Sequence, residues 1–180
     1  AARFNLGCLH LEQNNLPAAI AELTTFTVLS NKSVEGWLKL GTAQMRARQF
    51  DAAEKSLTTT LKLDQRQPEG WNNLGVVQLM RKRPRDAYLS FANALRVQTN
   101  CASALLNSAI LAQQHLNDRP LALQRYREYL ALKPTPANAT AVAETARLLE
   151  LELNPPPRVA PTNQVAQVNT PVNKPPVVTN

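Results

Sequence analysis

Glycine is scarce in this chain, at 5 of 180 residues, and aromatic residues make up only 5%. An all-β protein draws on glycine for its turns and on aromatic and β-branched residues for its strands, so that class has little support. Ala and Leu dominate instead, which favours helices built from small and medium side chains. No apolar run approaches the roughly 20 residues that a helix needs to cross a bilayer. The first residues also lack the charged, apolar and small-residue segments of a signal peptide. With no initiator Met and a helical pattern from its first residues, the chain reads as a mature product or an excised piece. Its compartment is left open.

The constellations that carry chemistry are missing too. The sequence has no C-x-x-C, no H-E-x-x-H and no glycine-rich phosphate loop, so no metal, nucleotide or other cofactor is expected. His10 and His115 stand too far apart in the chain pattern to share a site. Cys8 and His10 are two residues apart on a predicted helix, about 200° around it, and so diverge rather than form a nucleophile and its base. Glu150 and Glu152 diverge for the same reason. The expectation is a protein that is not an enzyme.

The net charge of +7 makes nucleic acid a partner to weigh. The basic residues are scattered, however, except for Arg81-Lys82-Arg83 and Arg85, and no aromatic residues are interleaved with them as a base-stacking platform requires. A solvated turn is the better reading of that run.

What the sequence does contain is a period. Trp37-Leu38-Lys39-Leu40-Gly41 returns 34 residues later as Trp71-Asn72-Asn73-Leu74-Gly75. The same register holds Arg3-Phe4-Asn5-Leu6-Gly7 upstream and Leu105-Leu106-Asn107-Ser108-Ala109 downstream. A second pattern follows each of these: Ala19 with Leu23, Ala53 with Leu57, Ala87 with Phe91, and Ala122 with Tyr126. A spacing of four places both members of a pair on one helical face. The last pair arrives one residue late, which places an insertion in the turn Asn117-Asp118-Arg119.

In these residues the chain resembles the tetratricopeptide repeat family, whose 34-residue unit carries a W-x-x-L-G-x-x-Y, then A-x-x-x-F, then P pattern. The resemblance covers about residues 1–134. Some slots depart from the pattern: the tyrosine slot holds His10, Gln44, Gln78 and Ala112, and the closing proline slot holds Asn31, Gln65 and Thr99, with only Pro134 matching. The implied fold is all-α, a right-handed α-solenoid of four helix-turn-helix repeats at about residues 1–33, 34–67, 68–101 and 102–135. Cys8 and Cys101 then fall in different repeats, several helix spacings of about 8–10 Å apart, too far for a disulfide. They read as small apolar fillers.

Elementary packing agrees with this frame. Gly41 and Gly75 fall mid-helix, where glycine costs up to about 1 kcal/mol relative to alanine, so a close helix approach is the expected compensation, with Ala53 and Ala87 supplying the small surface opposite. Trp37 and Trp71 fill space between successive units. Pro17, Pro68, Pro84 and Pro120 fall where helices should begin. An array of this kind needs a cap. Residues 136–153 fit that role, with Thr135 as N-cap, Pro136 at the first helical position, and Val142, Ala146, Leu149 and Leu153 on one stripe, closing a solenoid of residues 1–154. At the other end Leu6 and Leu9 would open a bare face. Residues 155–180 hold seven prolines and no acidic residue, and read as a disordered Pro-rich tail.

The resemblance also implies a peptide-binding groove. In the family the first helix of each unit lines the concave surface, with its sixth position pointing inward, and here that position reads Asn5, Lys39, Asn73 and Asn107. Asparagine both donates and accepts, so such a ladder can pair with the backbone of an extended peptide. Thr42, Val76 and Ile110 are neighbouring groove positions, with Met45 and Leu79 adding adaptable apolar surface. The set that grips a C-terminal carboxylate in chaperone-binding members would fall on Leu38, Thr42, Asn73, Ser103 and Asn107, where only Asn73 matches, so that ligand is rejected. The expected function is a non-catalytic scaffold holding an extended segment of a protein partner. The alternatives are self-association through the Leu6/Leu9 face and, less favoured, nucleic-acid association through the 81–85 turn.

Overall fold

The computed structural model describes residues 2–155, so the expected tail lies, from residue 156 on, outside the described residues. Among the described residues there are nine α-helices and no strands. They are α1 (Ala2–Glu12), α2 (Leu16–Leu29), α3 (Val34–Arg46), α4 (Phe50–Leu63), α5 (Pro68–Met80), α6 (Pro84–Val97), α7 (Ala102–Gln114), α8 (Arg119–Leu130) and α9 (Ala139–Leu153). Consecutive helices pack as antiparallel pairs that stack into a right-handed α-solenoid. Proline occupies the first or second position of α2, α5, α6 and α8, where its missing N–H breaks no helical bond. Ser33 opens α3 by accepting from the Gly36 N–H at 3.1 Å, and Asp118 opens α8 by accepting from Leu121 N–H at 3.0 Å.

The turn inside each pair recurs with the same backbone. Asn14, Arg48, Lys82 and Asn117 have φ values of 58°, 60°, 60° and 53°. In the first three repeats the following amide bonds back five residues: Asn15 to His10, Gln49 to Gln44, and Arg83 to Gln78. This is a helix stop with a left-handed residue after the last turn, a site that usually holds glycine. In the fourth repeat the left-handed residue comes one position late, and the Asp118 amide reaches back six residues to the Ala112 carbonyl. The inserted residue is therefore absorbed at 115–116, just ahead of the expected Asn117-Asp118-Arg119 site, and α8 starts normally after it. A left-handed lysine costs roughly 1–2 kcal/mol. Lys82→Gly is accordingly expected to raise stability by about 1 kcal/mol, read as a higher urea midpoint with an unchanged slope.

The glycines mark close contact, though not against the residues that the sequence points to. A Cβ on Gly7, Gly41 or Gly75 would lie 2.7 Å from Leu23 Cγ, 2.8 Å from Leu57 Cγ or 2.5 Å from Phe91 Cε1. Ala53 and Ala87 are fully buried, but the side chain resting on each glycine is the large residue one turn further on, and all three of these are fully buried. Between repeats, Trp37 donates from Nε1 to the Asn31 carbonyl at 2.8 Å, and Trp71 donates likewise to the Gln65 carbonyl at 2.9 Å. Each indole thus pins the start of its repeat to the loop six residues upstream.

Helix α9 covers the last repeat through Val142, Ala146 and Leu149, all buried against Ala122, Leu123, Tyr126 and Tyr129, with Leu153 packed at the edge. It begins at Ala139, three residues beyond the expected Pro136 start, with Asn138 rather than Thr135 in the N-cap position. Residues preceding proline avoid the helical region, and Lys133 and Thr135 both stand outside a helix here. Tyr129 also donates from its hydroxyl to Asn138 Oδ1 at 2.5 Å, fixing the entry to the helix. At the opposite end Leu6 and Leu9 are 41% and 48% exposed, whereas their counterparts Leu40 and Ala43 are 2% and 0% exposed.

Candidate functional site

Three pairs of odd-numbered helices touch across successive repeats, α1 with α3, α3 with α5 and α5 with α7, and no two even-numbered helices do among the described residues. The odd helices therefore form the inner, tighter curve of the solenoid, and the even helices its outer wall. The seven residues expected in the groove all lie on the odd helices α1, α3, α5 and α7. Asn5 is exposed, and Lys39, Thr42, Val76, Ile110 and Asn107 are half-buried. Asn73 is buried at 7% exposure.

The polar members of this face are joined by hydrogen bonds. Asn107 donates from Nδ2 to Asn72 Oδ1 at 2.9 Å, and Asn72 donates in turn to Asn73 Oδ1 at 3.2 Å. Asn73 donates to Thr42 Oγ1 at 3.0 Å, and Thr42 donates to the Leu38 carbonyl at 2.9 Å. One run of donors thus crosses from α7 through α5 to α3. Asn73 is spent inside the network, while Asn107 stands at its edge with a side-chain oxygen that no described residue engages. Asn5 and Lys39 are outside the network, so the expected four-rung ladder is a three-asparagine relay plus two separate polar groups. Asn72 is the member that the repeat frame passed over. It was visible as a polar residue in a column otherwise filled by Phe4, Leu38 and Leu106.

In the second, third and fourth repeats the missing tyrosines are also accounted for. Gln44 Oε1 accepts from Ser56 Oγ at 2.7 Å, and Gln78 Oε1 accepts from Ser90 Oγ at 2.6 Å, joining the two helices of each repeat. In the fourth repeat the tyrosine comes from the second helix, with Tyr126 donating to Gln113 Oε1 at 2.8 Å. These are internal contacts that hold each pair together. Both cysteines are free thiols, Cys101 buried and Cys8 half-buried, and burial pushes the Cys8 thiol up, away from the reactive thiolate.

The basic turn is largely neutralised. Arg81 bonds to Asp51 at 2.8 Å and to Glu54, while Arg83 bonds to the other oxygen of Glu54 and lies 3.7 Å from Asp86. Burial pushes the Glu54 carboxyl up, but the hydrogen bonds and charges of Arg83 and Arg81 outweigh it and hold the group below the usual carboxylate range. The folded state therefore binds this proton less tightly than the unfolded state. Its contribution is complete above the ordinary Glu value of about 4.3 and is lost as pH falls through the lower folded-state value. The stability gap between the wild type and Glu54→Gln is expected to be constant from pH 7 to about 5 and to close below that, as read from urea midpoints across the range.

An α-solenoid of helix-turn-helix repeats with a polar inner face is the class of protein that this geometry defines. Residues 38–100 match the model of the tetratricopeptide repeat family. That segment carries tetratricopeptide repeats, and the described helices on either side of it continue the same two-helix stacking. No curated protein sequence matches it. Among solved structures, TTC0263, a thermophilic TPR protein of Thermus thermophilus, aligns with a TM-score of 0.72 at 18% identity, covering 82% of this chain and 80% of that one. MamA aligns with a TM-score of 0.69 at 20% identity over 83% of this chain and 81% of that one. YrrB, described as a TPR protein with an unusual peptide-binding site, aligns at 0.62 and 16% identity over 82% and 76%. At these identities the likeness is one of fold. None of the helices among the described residues is long and apolar enough to cross a membrane.

Proposed function

We propose that this chain is a non-catalytic scaffold whose inner face holds an extended segment of a partner protein. The observation that carries this reading is the relay from Asn107 through Asn72 and Asn73 to Thr42, which fixes polar groups of three successive odd helices in one orientation. A surface already ordered loses little entropy when a ligand arrives. Asn107 at the edge of the relay, with Lys39 and Asn5 beyond it, offers hydrogen bonds to a peptide backbone, while Val76, Ile110 and Met45 offer half-buried apolar surface beside them. Backbone pairing of this kind reads extension more than sequence.

The experiment is a display selection of unstructured peptides against the full chain, followed by titration calorimetry of the winners. Binding should weaken at least tenfold in the Lys39→Ala/Asn107→Ala variant, provided it melts with the wild type, and should survive in Leu6→Lys/Leu9→Lys. Retention by the first variant would remove the groove as the site.

A second reading rests on the exposure of Leu6 and Leu9, whose counterparts in the third repeat, Leu74 and Val77, are 7% and 0% exposed. In the interior repeats this surface lies against the second helix of the preceding unit. Assembly through that face predicts light-scattering mass that rises with concentration and stays monomeric in Leu6→Lys/Leu9→Lys. Nucleic-acid association is the weakest of the three, because Asp51, Glu54 and Asp86 already hold Arg81 and Arg83.

A further inference from the structure

The repeat register carries a tryptophan slot that the fourth unit does not fill. Trp37 and Trp71 occupy it in the second and third units, each with its indole N–H on the carbonyl six residues upstream. Thirty-four residues after Trp71 stands Leu105, and six residues before that stands Thr99. Leucine reaches less far than indole and has no N–H to donate. Among the described residues no side chain donates to the Thr99 carbonyl, the counterpart of the carbonyls that Trp37 and Trp71 engage.

The shortfall leaves a hollow. A cavity of about 600 Å³ opens at Leu105 between the end of α6 and the end of α8, lined by Leu95, Thr99, Arg125, Ala131 and Leu132. At the preceding junction the corresponding hollow, lined by Leu61, Gln65 and Trp71, measures only about 220 Å³. Leu61, Gln65 and Trp71 are the 34-residue counterparts of Leu95, Thr99 and Leu105. The two cavities share this place in the repeat, walled by an indole in one and by leucine in the other, and the larger runs on over α8 at Arg125, Glu128, Ala131 and Leu132. Arg125, held by Glu128 at 2.6 Å, adds a guanidinium to the wall, a group that favours the face of an aromatic ring.

We propose that this cavity is a docking pocket for a tryptophan side chain of a partner protein, seated as Trp37 and Trp71 are seated in their own repeats, with its ring N–H on the Thr99 carbonyl. The two tryptophans of this sequence are both already engaged, so neither of them is the occupant. The pocket is separate from the inner groove, because Leu105 and Asn107 are two residues apart on α7 and point to different sides of it. The proposal therefore stands or falls independently of peptide binding there.

The test is a titration of the full chain, labelled for amide NMR, with N-acetyl-tryptophanamide. Saturable shifts are expected at Leu95, Thr99, Leu105 and Leu132, with none from N-acetyl-leucinamide. The ring-N-methylated analogue, which cannot donate, should bind roughly fivefold more weakly. Leu105→Trp fills the pocket from within and should abolish the shifts while leaving the fold intact. If that variant does not fold, Ala131→Leu at the mouth should weaken binding at least tenfold, whereas Asn107→Ala should leave it unchanged. Shifts confined to other surfaces, equal shifts with the leucine amide, or undiminished binding by the filled variant would overturn the proposal.

Discussion

Phe91→Ala is expected to destabilise the protein by about 3–5 kcal/mol, the usual cost of removing a buried phenylalanine ring. At roughly 2–4 °C per kcal/mol for a chain of this size, the melting temperature should fall by about 10 °C. Phe91 is fully buried, and its ring rests directly on Gly75, where a Cβ would lie 2.5 Å from Cε1 and 2.7 Å from Cδ1. That contact gives a sharper test than the single loss. In the wild type, Gly75→Ala must push a buried aromatic ring, which typically costs about 1–3 kcal/mol and exceeds the roughly 1 kcal/mol of helix propensity gained. In the Phe91→Ala background the ring is gone and only the propensity gain remains. The same substitution should therefore change sign between the two backgrounds, a coupling that a denaturation cycle of four proteins measures directly. Additive effects would mean that ring and glycine do not define each other.

Deleting α9 by ending the chain at residue 135 should have an effect of similar size and a different distribution. Burial of Val142 and Leu149 contributes roughly 3–6 kcal/mol, and their loss would expose Ala122, Leu123, Tyr126 and Tyr129, which they cover. Because each unit of a solenoid is stabilised by its neighbours, the loss should concentrate at the uncovered end. Amide exchange in α7 and α8 is expected to accelerate a hundredfold or more, while α3 and α4 change little. Uniform acceleration along the chain would show instead that the repeats unfold as one unit. Leu149→Asp should give the same pattern in milder form.

The architecture was legible because its determinants are periodic. The Leu-Gly pair recurs at 34 residues through the first three units, as does the Ala and large-residue pair, with prolines marking helix starts, and a contact repeated in register specifies its own geometry. The polar contacts were harder to read. Asn72 breaks an apolar column, yet only the packed helices show that it links Asn107 to Asn73. Gln44 and Gln78 look like lost tyrosines until Ser56 and Ser90 are seen to bond them across the pair. The start of α9 at Ala139 departs from the local sequence pattern for a similar reason. A proline favours the first turn of a helix, but Pro134 and Pro136 together restrict the residues before them, and Tyr129 holds Asn138 from outside the local sequence. Which side chain rests on the glycines also depends on how deeply the paired helices interlock, a quantity that spacing alone does not contain.

The single extra residue at 115–116 falls between the two helices of the fourth repeat, after Asn107 and Ile110 and before Ala122 and Tyr126. The inner wall is thus a ruler whose marks at 5, 39, 73 and 107 keep one spacing throughout, while the slip in count is confined to the outer wall. A strand-like ligand laid along the inside would meet an unbroken rhythm. A residue inserted at the 81–83 turn, by contrast, would fall between the marks at 73 and 107 and lengthen that interval in sequence, so the rhythm would then have to be kept by the turn alone.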